Sequence, residues 1–157
     1  MSYTLANIPN NLIYEKDNQI IITIISQIKD FFNKIQETRQ LIKNRKELYN
    51  TMDIIYNNMA DLLNYVEKIN DSCETEKDVE QEGINLIKYD DQFYNYLQEI
   101  YTNCYDANEI IKQIDTSKRT KEEQFTSMAL IVFNVVFELL LDSINNIKFR
   151  DIIDNAR

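Results

Sequence analysis

Asn134, Glu138 and Asp142 fall at i, i+4 and i+8 along the most apolar stretch of the chain, Met128 to Leu141. On a helix these three side chains share one face. As a buried polar seam, their carboxylates would have to pair, shift their pKa or serve a ligand or partner. The same line could equally be the solvent edge of an amphipathic helix. It cannot be a di-iron centre of the usual bundle kind, which needs Glu-x-x-His pairs, because the 157 residues include no His. The missing imidazole also excludes His-based triads, His-ligated zinc and the commonest general base. The sequence has no Gly-rich phosphate loop, no G-x-S-x-G and no C-x-x-C. Cys73 and Cys104 lie at different levels of the expected helices, too far apart to form a disulfide, and Cys104 reads as a small core residue. The expectation is a protein that is not an enzyme and holds no metal or cofactor.

Two other residue sets are suited to recognition. Arg39, Lys43 and Lys46 recur at helical spacing, with Arg45 beside them, and such a group can grip an acidic partner or a phosphate. Pairing with Glu37 and Glu47 as a solvated face is the simpler outcome. Lys118, Arg119 and Lys121 form a second basic group, suited to the negative end of a helix. Tyr89 and Tyr96 fall outside the apolar stripe of their helix, and Tyr105 flanks it. Tyrosine buries area at low entropy cost, so these three mark a partner-binding surface.

The elements that must position these groups are helices. The chain has one Gly and one Pro, too few for the turns of a β-sandwich or barrel. Between Pro9 and Gly83 lie more than seventy residues without a strong helix breaker. Counting Ile21 as heptad position a, the a positions are Ile21, Ile28, Ile35, Ile42, Tyr49, Tyr56 and Leu63. The d positions are apolar except Thr38 and Arg45. Such a repeat means helix packed lengthwise on helix. The flanking apolar positions move from e to g near residues 36–46, which predicts a kink or break between helix A, about 15–37, and helix B, about 39–72.

Residues 71–82 are acidic and nearly devoid of apolar positions, and read as a connector. Thr75 with Asp78 is a possible helix cap. Helix C then runs to about 114, with its ordered start placed near Ile84 because Gly83 weakens the preceding turn. Thr120 and Glu123 fit a capping box that opens helix D, about 121–153. Helix D is apolar nearly all round from Met128 to Leu141, which reads as a central helix clasped by the others.

The expected fold is all-α: a single antiparallel bundle of about four long helices with an apolar central C-terminal helix. Residues 1–13 are expected as an extended N-terminal arm and 14–157 as one helical bundle domain. The apolar run of fourteen residues is shorter than the roughly 20 that cross a bilayer, so no membrane span is expected. No basic-then-apolar leader is visible, and a cytoplasmic setting is the default.

Net charge is −9, from 26 acids against 17 bases, which opposes nucleic acid and favours a basic protein partner or simple solubility. The abundance of Ile, Asn, Lys, Tyr and Phe fits an A/T-rich bacterial or viral genome and says nothing about chemistry. The function expected is a non-enzymatic helical protein-binding module: an inhibitor, immunity-type or adaptor protein that occludes a macromolecular partner. The alternative is a self-associating structural or assembly component, a secretion accessory or a phage or viral morphogenesis subunit. The long heptad seam would support such homo-oligomerisation.

Overall fold

The computed structural model describes the backbone of residues 20–156 and the side chains of 26–150 and 152–156. The expected arm, 1–13, and the start of helix A lie outside the described residues. Within them the fold is all-α, with five α-helices and no strand. These are α1 (Ile20–Leu41), α2 (Lys46–Ser72), α3 (Glu76–Lys88), α4 (Asp91–Lys112) and α5 (Lys121–Ala156), with a short 3-10 turn at Thr116–Lys118.

The break between α1 and α2 falls at residues 42–45, where the apolar stripe changes side. Of the two exceptions to the heptad, Thr38 is fully buried and its hydroxyl donates to the Lys34 carbonyl at 2.6 Å. A threonine that bonds back to its own helix satisfies its polar atom, so it fills a core position without penalty. Arg45 is exposed because the chain turns there. Along α2 the seam is centred on Leu48, Met52, Ile55, Met59, Leu62 and Val66, all fully buried.

The acidic connector is a helix, and helix C is two. Thr75 Oγ1 accepts from the Asp78 N–H at 3.2 Å, and the Asp78 carboxylate accepts from the Thr75 N–H at 3.2 Å. This reciprocal cap starts α3 at Glu76, eight residues before the start expected near Ile84. Gly83, Leu86 and Ile87 hold α3 in place from its buried face. Asp90 then begins α4 as a new N-cap, accepting from the Phe93 N–H at 2.8 Å. A carboxylate at that point stops one helix and opens the next without Gly or Pro.

The broadest packing joins α1 to α2, α2 to α4 and α4 to α5; α1 also touches α3 and α5. Lys29 pairs with Glu67 and Arg39 with Asp53, so α1 and α2 run in opposite directions. Ser127 donates to Asn108, and Asn145 to the Tyr94 hydroxyl, so α4 and α5 do too. Phe31 meets Phe133 edge-on at 5.0 Å and Phe137 at 5.7 Å, joining the first helix to the last.

The C-terminal helix is not central. Its inner face buries Leu130, Phe133, Val136, Phe137, Leu140 and Ile144. Its opposite face leaves Met128 68%, Ile131 47% and Leu139 41% exposed. A helix apolar all round has two faces to cover, and the described helices cover one. Nor is α5 too short for a bilayer: at 36 residues it is long and apolar enough to cross a membrane by length and composition, and less than half of its most apolar stretch is buried.

Candidate interaction surface

The exposed face of α5 is built by spacing. Met128, Ile131, Val135 and Leu139 recur at intervals of three and four residues, which aligns them on one side of the helix. Thr120 fixes where that helix begins. Its Oγ1 accepts from the Glu123 N–H at 3.1 Å, while Glu123 Oε1 accepts from the Thr120 N–H at 2.9 Å, the expected capping box. Phe125 borders the stripe, 43% exposed, with the Lys34 ammonium 4.3 Å from its ring centroid. Tyr105, 52% exposed, is the aromatic of α4 that remains open to solvent along this helix pair. At the far end the stripe is closed by charge. Glu138 and Asp142 are exposed, and their carboxylates help push the Tyr101 hydroxyl above its ordinary pKa, after burial as the first cause.

These positions settle the line of Asn134, Glu138 and Asp142. Asn134 is half-buried, its Oδ1 enclosed; Glu138 and Asp142 face solvent. The line is an edge of α5 and not a buried seam. The three basic residues are not brought together as one grip. Arg39 turns to α2, where its Nη1 lies 2.6 Å from Asp53 and its guanidinium stacks 4.0 Å over the Tyr56 ring. Lys43 and Lys46 are exposed near the α1–α2 turn. The tyrosines also divide. Tyr89 is 64% exposed at the end of α3, whereas Tyr96 is half-buried, its ring 5.5 Å from that of Tyr65.

Residue reasoning missed two features. One is the outer stripe of α5, whose own three-and-four spacing was hidden inside a run apolar on every side. The other is the ion pair of Arg45 with Glu123, 2.6 Å apart, which ties the α1–α2 turn to the first turn of α5. Burial pushes the Glu123 carboxyl up. The Thr120 N–H and the Arg45 guanidinium outweigh that effect and hold it below its ordinary value.

Charge is segregated along the helices. Segments 39–48 and 109–123 meet at one end, where Arg45 reaches Glu123, and carry eight basic residues against five acidic ones. Residues 71–91 at the other end carry eight acidic residues against two basic ones. Arg119 spends its guanidinium on the Ile114 and Lys112 carbonyls at the end of α4, as expected for a cation there. Cys104 is fully buried, and burial raises its thiol well above the ordinary value; Cys73 is raised by partial burial and by Glu82 and Asp78. Both thiols are free. Among the described residues, no three His, Cys, Asp or Glu side chains are grouped as metal ligands would be. Comparison with protein-family models, curated proteins and solved structures found no match to this chain.

Proposed function

We propose that this chain is a non-enzymatic helical protein-binding module, an inhibitor, immunity-type or adaptor protein that covers a surface of a macromolecular partner. In this reading α1, α2, α4 and α5 act as a single antiparallel bundle, with α3 bracing one end. The opposed directions of α1 and α2 and of α4 and α5, and the contact of Phe31 with Phe133, support that arrangement. The observation that carries the function is the outer face of α5, where Met128, Ile131 and Leu139 stand exposed together. Exposed apolar residues gathered on one face, bordered by polar ones, are what protein-docking surfaces present.

The test is capture from source lysate with the purified chain and with Ile131→Asp. A single stoichiometric partner is expected with the native chain and is lost with the variant, whose melting temperature stays within a few degrees because the site is exposed. Retention of the partner by the variant overturns the reading. A second reading, self-association as a structural or assembly component, is favoured by the placement of Lys121 and Asp142 at opposite ends of the same apolar stripe.

A further inference from the structure

We infer that, in the protein free of its partner, the apolar face of α5 is covered by the same face of a second copy of this chain, which the partner must displace, the two helices lying antiparallel about a two-fold axis. The inference rests on reading that face as an interaction surface, and it names the occupant. A two-fold interface is self-complementary: each residue i meets residue j of the copy, and j meets i. With the axis between Ile131 and Val132, Met128 lies opposite Val135 of the copy and Phe125 lies within a turn of Leu139. The apolar residues then fill the middle of the interface.

The charges single out this arrangement. Lys121 and Asp142 lie equally far from that axis, one before it and one after, so each meets the other across the pair. Neither makes an ion pair within its own chain among the described residues, and both are exposed. A parallel pair would set Lys121 against Lys121 and Asp142 against Asp142. The same complementarity holds for the whole molecule. The basic end of the helices lies at the start of α5, and the acidic end lies beside residues 145–148, where Asn145 and Lys148 touch Tyr94 and Asp91. Reversing the second copy brings basic end to acidic end. A bilayer crossed by α5 offers no such match, since Glu138 and Asp142 at the border of the stripe would lie within the hydrocarbon.

The experiment is sedimentation velocity of the full chain across low-micromolar concentrations. A dimer of twice 18.7 kDa is expected, weakening as salt is raised. Lys121→Asp and Asp142→Lys should each weaken dimerisation about tenfold, and the double swap should restore it. Ile131→Asp should give a monomer with unchanged circular dichroism. A native chain that stays monomeric, or single swaps without effect, overturns the inference; so does co-flotation of the native chain with neutral phosphatidylcholine vesicles that Ile131→Asp abolishes. If the chain is monomeric yet loses a protein partner on Ile131→Asp, the second copy is refuted while the protein-binding module stands. If Ile131→Asp changes neither association nor partner capture, both fail.

Discussion

Glu123 carries more of this structure than a first-turn glutamate usually does. It closes the capping box with Thr120 and receives Arg45 from the other side of the molecule, while its side chain is only 2% exposed. Its carboxyl is held below its ordinary 4.5, so its contribution is present above that pH and is lost as pH falls through the lowered native value. Glu123→Gln should cost about 1–3 kcal/mol at neutral pH, and the gap from the native chain should close below pH 4.5 in a series of urea melts. Tyr65 gives the opposite sign. Burial first, then its 2.6 Å hydrogen bond to Asp90, raises the phenol from 10.0 to about 12. Its stabilising effect is complete below pH 10 and disappears between pH 10 and about 12, so the native chain should lose more stability over that window than Tyr65→Phe, in which only the other raised groups, such as Tyr101 and Cys104, still titrate. Neither interaction is legible in the sequence, because Arg45 is 78 residues from Glu123 and Tyr65 is 25 residues from Asp90. Only the local half of each site, the Thr120–Glu123 box and the Asp90 cap, leaves a pattern in the chain.

Among the elements, α1 and α2 follow from spacing alone, and their junction falls where the apolar stripe shifts. Helix D was legible in extent and misread in position. Periodicity reports which faces are apolar, and an all-round apolar run contains no statement of which face its neighbours take. Phe133 and Val136 lie on the face that is covered, at 2% and 1% exposure. Replacing either with Asp should abolish cooperative unfolding, because an unpaired buried charge costs several kcal/mol; a normal thermal melt would contradict the packing of α5. Tyr96 sits between these extremes. Its ring packs on Tyr65, so Tyr96→Ala should lower stability by about 0.5–1.5 kcal/mol beyond its lost area, measurable as a shift in denaturant midpoint. The Thr75–Asp78 cap that opens α3 is legible in the sequence, but the helix that follows it is not. Its first half is rich in acids, and besides Val79 its core contacts are the buried Gly83, Leu86 and Ile87 crowded near its end, too few to form a recognisable stripe.

For the whole molecule, composition specified the all-helical fold of the described residues correctly: with one glycine and one proline to make turns, lengthwise helix packing is what remains. The closing of the molecule is another matter. The α1–α2 and α4–α5 contacts join segments adjacent in the chain, whereas Phe31 reaches Phe133 and Phe137 across about 100 residues. Loop closure makes that junction the costliest to form early. The two hairpins should therefore assemble first, and the Phe31 cluster should be consolidated after the folding barrier has been crossed. Phe31→Leu should then steepen the loss of native protein chiefly by accelerating unfolding, leaving the refolding limb of the chevron nearly unmoved. The aromatic contact that joins the first helix to the last would thus act as a latch, setting how long the native state persists rather than how fast it is reached.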